Sequence, residues 1–239
     1  MSDTKRIFLT AEWRKLIMAN YTIDPAILMS FLPAHTELDQ WNGEYYVSLV
    51  GFMFDKVRIK GMSVPFHRRF PEINLRFYVK YKEAGQWKRG VVFIREIVPR
   101  PAITWVANTI YKENYATHKM KNNSVVSNEM ITVTYQWKKK KWNRIEVVAN
   151  NVPAPLKEGS KEEFITEHFW GYAKRTAIQT VEYHVEHPRW DIYSITNYII
   201  ECDFEKVYGQ PFAFLNNKQP ASVFMAEGSP VKIYEKIEL

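Results

Sequence analysis

The sequence predicts a mainly β protein with a few short helices, an α+β composition dominated by strands. Strand-length segments rich in β-branched and aromatic residues follow one another from Tyr45 onwards, whereas only three short segments carry helix-start signals. Long consecutive strands in one chain are typical of a barrel or a sandwich. The 239-residue chain is 46% hydrophobic and has no linker rich in proline, glycine and serine. We therefore expect one domain spanning residues 1–239.

The three predicted helices differ in the strength of their start signals. The first, Asp24 to Leu32, begins with a residue that can cap free backbone N–H groups and continues with a proline at the first helical position. An S-x-x-E capping box, formed by Ser160 and Glu163, begins the second. The third and weakest, Ile103 to Tyr111, follows a proline.

Most of the remaining chain is predicted to form strands separated by turn signals. Two of these strands are separated by EAGQ, which favours a hairpin, and another contains the turn SNE. The predicted strands are Tyr45–Ile59, Glu72–Tyr81, Lys88–Ile97, Ser124–Trp137, Asn143–Ala149, Arg175–Glu186, Asp191–Val207, Ser222–Ala226 and Val231–Ile237.

One predicted strand, Glu72 to Tyr81, has an apolar face and a polar face, because side chains alternate between the two faces of a strand. The polar face carries Glu72, Asn74, Arg76, Tyr78 and Lys80. If this face meets water, it is an ordinary surface with an ion pair along the strand. If it faces the inside of a barrel, a carboxylate, an amide and a guanidinium share one cavity, and the face is a candidate site.

The charge of the chain permits an anionic partner, although no motif identifies one. The formal net charge is +7, and much of the excess lies in WKKKKWNR, Trp137 to Arg144. We interpret this segment as the solvated tip of a hairpin rather than a binding patch. Because the chain contains no DNA- or RNA-binding motif, we expect no specific nucleic-acid partner. The many aromatic residues would suit either a core or a homo-oligomer interface.

The expected location is the cytoplasm, without a membrane partner. No apolar run has the length needed to span a bilayer, and the N-terminal residues lack a signal-peptide pattern. Cys202 is the only cysteine and cannot form an internal disulfide, which suits a reducing compartment. We also predict no cofactor and no metal, because phosphate-loop, dinucleotide and zinc motifs are absent from the sequence.

Several sequence words resemble a known family in combination. They are EWRKLIMANYTIDPAILMSFLPAHTELDQWNGEYYVSLVGF, PEINLRFYV, GVVFI, ANTIYKENYATHKM, EHFWGYAKR, EHPRW and SVFMAEGSPV. Through them the chain resembles the uncharacterised YqjF-like family, domain of unknown function 2071, over nearly its whole length. That family is grouped with the acetoacetate decarboxylase-like fold. The resemblance implies a closed, cone-shaped antiparallel β-barrel, and it places Glu72 where the decarboxylase pocket has a glutamate.

The same resemblance implies that the catalytic lysine of the decarboxylase is missing. That enzyme forms a Schiff base through a lysine in a segment of the type RE-I-W-G-[FY]-P-K-K. The nearest segment is NTIYKENYA, Asn108 to Ala116, and it places Tyr115 and Ala116 at the two lysine positions. Neither residue can form a Schiff base. FWGYAKR also resembles the motif and contains Lys174, but it comes much later in the chain, and we interpret it as a chance match.

Three functional hypotheses follow. The first is a barrel that binds a small, carboxylate-bearing organic molecule, with Glu72 and Tyr115 as catalytic candidates and Asn74, Arg76 and Tyr78 as ligand-binding candidates. Arg76 suits a carboxylate, which a guanidinium can hold through two parallel hydrogen bonds. The sequence does not decide whether a reaction follows. A lyase, hydrolase or isomerase acting on a small organic acid would each fit this site.

The alternatives belong to other classes. A lysine-dependent lyase would use a displaced amine from Lys174, Lys112 or Lys80. A nucleic-acid or anionic-surface binder would use Trp137 to Arg144, and its binding would weaken steeply with salt.

Overall fold

The computed structural model describes residues 6–110 and 113–239, and within these ranges the protein is mainly β. The strands are β1 (Ile7–Thr22), β2 (Thr36–Leu38), β3 (Tyr46–Ile59), β4 (Phe70–Glu83), β5 (Gln86–Val98), β6 (Tyr115–Thr117), β7 (Lys119–Val126), β8 (Met130–Lys138), β9 (Trp142–Asn150), β10 (Trp170–Lys174), β11 (Thr180–Glu186), β12 (Ile192–Tyr193), β13 (Ile195–Glu201), β14 (Ser222–Tyr234) and β15 (Ile237–Glu238). The helices are α1 (Pro25–Leu28), α2 (Pro101–Ile110), α3 (Lys161–Thr166) and α4 (Phe204–Tyr208), followed by a 3-10 helix at Gln210–Asn217. No helix in the described ranges is long and apolar enough to cross a membrane.

The strands form two sheets. The larger has eleven strands in the order β12-β14-β1-β3-β4-β5-β10-β11-β15, with β2 beside β4 and β6 beside β5, and β11 also pairs with β14. The smaller has the order β13-β9-β8-β7. The expectation of purely antiparallel pairing is wrong at β5, which pairs in parallel with β6 and β10. Both partners follow a helix, and parallel neighbours need such longer connections.

Both faces of β4 are buried, which the alternating sequence alone does not show. Ile73, Leu75 and Phe77 belong to a core cluster that also contains Val133 and Trp137 of the smaller sheet. The residues between them, on the opposite face of β4, are Glu72, Asn74, Arg76 and Tyr78, and these are buried as well. The alternation therefore separates two interior environments rather than a core from water.

The predicted start signals of two helices are confirmed. The carboxylate of Asp24 accepts a hydrogen bond from the backbone N–H of Ala26 at 2.9 Å, although α1 ends at Leu28 rather than Leu32. The hydroxyl of Ser160 accepts a hydrogen bond from the backbone N–H of Glu163 at 3.1 Å. The third predicted helix corresponds to α2, and its expected last residue, Tyr111, lies outside the described residues.

Several strand predictions need correction. The predicted strand Arg175–Glu186 begins only at Thr180, because the preceding residues form a turn closed by a hydrogen bond from the backbone N–H of Arg175 to the carbonyl of Gln179. The predicted strand Asp191–Val207 divides into β12, β13 and α4, and the carboxylate of Asp203 caps α4. The sequence interpretation also missed β1, a 16-residue strand between β3 and β14.

The predicted turn EGSP instead lies inside β14. Gly228 has φ +82°, and a Cβ atom there would lie 2.0 Å from the backbone oxygen of Trp13. Glycine therefore lets β14 pass close to β1 in a backbone conformation that other residues rarely adopt. By contrast, the basic segment does contain the tip of the β8–β9 hairpin as predicted, at residues 139–141, but its ends belong to the strands, and Trp137 and Asn143 are buried rather than solvated.

Candidate functional site

A cavity of about 270 Å³ lies against the polar face of β4. Its walls are mostly apolar and include Trp13, Phe52, Phe54, Phe70, Phe93 and Trp190. Its polar lining includes Glu72, Asn74, Arg76, Glu96, Glu113, Tyr115 and His168, together with His67, Thr166, Tyr183 and His187. The structure thus places four of the five predicted site residues, all except Tyr78, around one cavity.

Three adjacent strands bring the acidic residues together. Asn74 on β4 is the register partner of Glu96 on β5, and Glu96 is the parallel partner of Tyr115 on β6. Helix α2 fixes β6, because the side chain of Asn108 accepts a hydrogen bond from the backbone N–H of Tyr115 at 2.7 Å and donates one to its carbonyl at 3.0 Å. Glu113 precedes Tyr115 by two residues and also lines the cavity.

The carboxyl group of Glu72 receives two hydrogen bonds. The hydroxyl of Tyr115 donates to its Oε2 at 3.1 Å, and the side-chain amide of Asn74 donates to its Oε1 at 3.0 Å. Glu72 is 2% exposed. The two predicted catalytic residues are therefore in direct contact, and Asn74 orients the carboxyl group from the other side.

Two further glutamates, which the sequence analysis missed, extend this arrangement. The carboxyl groups of Glu96 and Glu113 hydrogen-bond to each other, and the hydroxyl of Tyr115 also contacts Glu96. The hydroxyl of Tyr183 donates to Glu113. Two ionised carboxylates have no proton to donate, so the contact between Glu96 and Glu113 requires one proton shared by the pair. We call Glu72, Glu96 and Glu113 the glutamate cluster.

Burial keeps protons on the glutamate cluster at neutral pH. Desolvation raises the pKa of Glu72 to about 8 and the pKa of Glu113 to about 7. Desolvation and the charges of the other two members raise the pKa of Glu96 well above its usual value. Desolvation and the neighbouring carboxylates raise the pKa of Tyr115 too. Proton donors and proton acceptors therefore coexist near neutral pH, as general acid–base chemistry requires.

Arg76 contributes a buried positive charge. Its guanidinium is directed at the carbonyl oxygen of Ile165, at 3.3 Å, and among the described residues no carboxylate lies within the 4.0 Å of an ion pair. Its side chain is only 9% exposed. The ion pair with Glu72 that an ordinary surface strand would show is therefore not formed.

His168 contributes a neutral imidazole. Burial lowers its pKa to about 4. Its Nε2 lies 3.4 Å from a carboxylate oxygen of Asp39, which is also paired with Arg89 at 2.7 Å. A neutral ring can bond to that carboxylate only if Nε2 carries the proton, which leaves Nδ1 as an acceptor.

Buried polar atoms without a hydrogen-bond partner concentrate around this cavity. In the described part of the chain, six residues of the lining each have one such atom. These atoms are Trp13 Nε1, Asn74 Oδ1, Arg76 Nε, Glu96 Oε2, His168 Nδ1 and Trp170 Nε1. Most buried polar groups in folded proteins are paired, so a concentration at one place calls for an explanation.

Tyr78 shares the polar face of β4 but does not reach the cavity lining. Its hydroxyl lies 2.6 Å from the hydroxyl of Ser48, and its ring packs against His168 with the ring centroids 4.8 Å apart. The predicted direct contact between Tyr78 and a ligand is therefore not supported by its position. Tyr78 instead lies behind His168.

The lysines of the alternative hypothesis lie elsewhere, as far as the structure describes them. Lys174 is exposed, and its amine donates to the backbone oxygen of Ser30 at 3.2 Å. The amine of Lys80 lies 4.5 Å from the ring centroid of Trp87. Lys112 is outside the described residues. Within the described ranges, no lysine lines the cavity.

The fold belongs to a known structural class. Three solved structures are similar over nearly the whole chain. Acetoacetate decarboxylase from Legionella pneumophila has a TM-score of 0.66 and 13% identity, and the match covers 97% of this chain and 88% of that one. An acetoacetate decarboxylase-like enzyme from Sphingomonas wittichii RW1 has a TM-score of 0.67 and 11% identity, with 97% and 93% of the two chains covered. The enduracididine biosynthesis enzyme MppR complexed with pyruvate has a TM-score of 0.67 and 9% identity, with 99% and 91% covered. At these identities the likeness shows an acetoacetate decarboxylase-like fold.

The sequence comparison then gives the family. The model of the family DUF2071, described as an uncharacterized conserved protein, matches residues 10–230, and the chain belongs to this family. The uncharacterized protein YqjF of Bacillus subtilis (strain 168) is 38% identical over 82 residues. This match spans 34% of the chain and 32% of YqjF, about a third of each protein. The family resemblance read from the sequence is confirmed.

Proposed function

We propose that the protein binds a small organic molecule in the cavity beside β4, with its apolar body against the aromatic walls. The observation that carries this proposal is the set of six unpartnered, buried polar atoms in the lining of one mainly apolar cavity. Ligand sites typically combine an apolar wall with a few polar groups that fix orientation. A ligand whose polar end meets these atoms would give them the partners that buried polar groups need.

The narrower part of the proposal is that the ligand has a carboxylate, which Arg76 binds. An isolated buried charge is costly, and a guanidinium with an unpartnered Nε offers a hydrogen-bonding edge to an anion. Protonated members of the glutamate cluster would donate hydrogen bonds to such a ligand rather than repel it. Glu72 and Tyr115 would be the catalytic candidates, Asn74 would contact the ligand, and Tyr78 would position His168.

The barrel belongs to the same proposal. We infer that the larger sheet closes into a cone-shaped barrel around the cavity. In the series β14, β1, β3, β4, β5, β10 and β11, each strand pairs with the next. The last strand, β11, also pairs with the first, β14, through Val185 and Ile233, and this pairing supports the inference. Single-domain organisation, a cytoplasmic location and a homo-oligomeric state stay predictions.

A binding experiment tests the proposed function. Thermal unfolding is measured with 2-oxo-4-phenylbutanoate and with its neutral amide, which share an apolar body. The acid should raise the melting temperature more than the amide, because a ligand that binds only the folded state stabilises it, by about 2.7 kcal/mol at 100 times its Kd. The variant Arg76→Gln should lose the preference for the acid, whereas Lys174→Gln, at an exposed site, should keep it. Equal shifts with acid and amide would contradict the role of Arg76, and no shift with either probe would contradict the binding proposal.

A further inference from the structure

The connections within the glutamate cluster form one continuous path along the cavity. Tyr183 donates to Glu113, Glu113 shares a proton with Glu96, and the hydroxyl of Tyr115 lies between Glu96 and Glu72. Every step joins groups that can both give and accept a proton. The path therefore allows a proton taken up at one carboxyl group to be balanced by a proton released at another.

Unpartnered polar atoms indicate where a ligand would bind along this path. Asn74 and Arg76 are 2% and 9% exposed, they line the same cavity, and each has a polar atom without a partner among the described groups. Neither atom belongs to a carboxyl group. A ligand carboxylate that accepts a hydrogen bond from Arg76 Nε would lie near Asn74, whose amide donates a hydrogen bond to Glu72.

We propose that the glutamate cluster catalyses enolisation of a small keto acid, with the Glu96–Glu113 pair as the base and Glu72, supported by Tyr115, as the acid. This inference rests on the proposed binding function and adds a reaction to it. The proposed chemistry is direct proton transfer by carboxyl groups rather than formation of an imine, and within the described ranges no lysine lines the cavity. The substrate class is a keto acid with an apolar body and a hydrogen on the carbon next to its carbonyl.

The proposed step needs no further reactant. A carboxylate oxygen of the Glu96–Glu113 pair takes the proton from the carbon next to the carbonyl, and the electrons of that C–H bond form a C=C bond. The π electrons of the carbonyl move to its oxygen, which receives the proton of Glu72. Return of a proton to the same carbon regenerates the keto acid and completes an exchange. Both partial reactions balance, because the cluster gains one proton and gives one up.

Hydrogen–deuterium exchange measures this reaction without knowledge of a final product. 2-Oxo-4-phenylbutanoate is incubated with the protein in D₂O, and the NMR signal of its C3 hydrogens is followed. The wild-type protein should accelerate the loss of this signal over buffer. Because general acid–base groups contribute roughly 100-fold or more, Glu96→Gln and Glu113→Gln should each slow the exchange by about this factor.

Controls separate a chemical effect from loss of the fold or of binding. Glu186→Gln, at an exposed glutamate on β11, should exchange like the wild type. Glu96→Asp keeps a carboxyl group and should retain part of the activity, while thermal shifts with the same probe report binding for each variant. Binding without accelerated exchange by the wild type, or unchanged exchange by Glu96→Gln, would overturn the inference and leave the proposed function intact. Absence of binding would overturn both.

Discussion

Replacing Glu72 by glutamine tests how this carboxyl group behaves in the folded protein. Burial raises its pKa from 4.5 to about 8, so between these pH values the folded state holds a proton that the unfolded state has lost. The free energy of unfolding must then fall as the pH rises through this window. Each pH unit within this window lowers the free energy of unfolding by about 1.4 kcal/mol. Glu72 therefore makes the protein about 3 kcal/mol less stable at pH 7 than at pH 4.5.

Glutamine has no proton to lose, so the variant lacks this dependence on pH. Its altered hydrogen bonds to Asn74 and Tyr115 cost about 1–3 kcal/mol, by an amount that does not change with pH in this range. The informative quantity is therefore the free energy of unfolding of Glu72→Gln minus that of the wild type. We expect this difference to increase by about 3 kcal/mol between pH 4.5 and pH 7.

Urea denaturation over a series of pH values provides the measurement. The matched control is Glu186→Gln, because Glu186 is exposed and its pKa is lowered by hydrogen bonds from Lys232 and Tyr234. A carboxylate with a lowered pKa stabilises the folded state, and this stabilisation is lost as the pH falls. For Glu186→Gln, the free energy of unfolding minus that of the wild type should therefore not increase towards alkaline pH. A difference for Glu72→Gln that stays constant, or that decreases with pH, would refute the reasoning, since it would mean that Glu72 is ionised in the folded state.

Three other results are expected. Gly228→Ala should destabilise the protein by about 2 kcal/mol or more in denaturant titrations, because alanine there adopts an unfavourable φ and meets the backbone of β1; a wild-type midpoint would contradict the geometry of β14. Tyr115→Phe removes a donor to Glu72 and should cost about 1–3 kcal/mol while raising the pKa of Glu72 further; an unchanged titration of Glu72 would show that the contact does not form in solution. Borohydride reduction with pyruvate should leave the mass of the protein unchanged, whereas an adduct on Lys174 or another lysine would support the lyase alternative.

The local pattern of β4 was sufficient to predict one side of the site. Alternation alone places Glu72, Asn74 and Arg76 on one face, and all three line the cavity. It did not show that the opposite face is also buried, because the residues that cover it come from β8 and β9, more than fifty positions later in the chain. For the same reason, a surface strand remained the ordinary interpretation of the sequence.

The other side of the site depends on contacts that no local pattern contains. Glu96 lies within the mainly apolar segment VVFIREIV. A single carboxylate among apolar residues was the sign in the sequence that could have marked it as a candidate site residue. Glu113 reaches Glu96 only because β6 returns parallel to β5 after α2, a connection that the alternation of single strands does not specify. The EGSP segment shows the opposite error: its glycine and proline are typical of a turn, but pairing with β1 holds it in a continuous strand.

The titration of the glutamate carboxyl groups tests the central claim most directly. The protein is labelled with ¹³C at the side-chain carboxyl carbon of glutamate, and NMR spectra are recorded from acid to alkaline pH for the wild type, Glu72→Gln, Glu96→Gln and Glu113→Gln. Other titratable side chains of the cavity lining, namely Arg76, Tyr115, Tyr183, His67, His168 and His187, carry no label and do not contribute to the signals. We expect carboxyl signals that titrate at or above neutral pH and that disappear or shift in the three variants. If every glutamate titrates near its ordinary pKa of about 4.3, the cluster does not hold protons at neutral pH, and the account is contradicted.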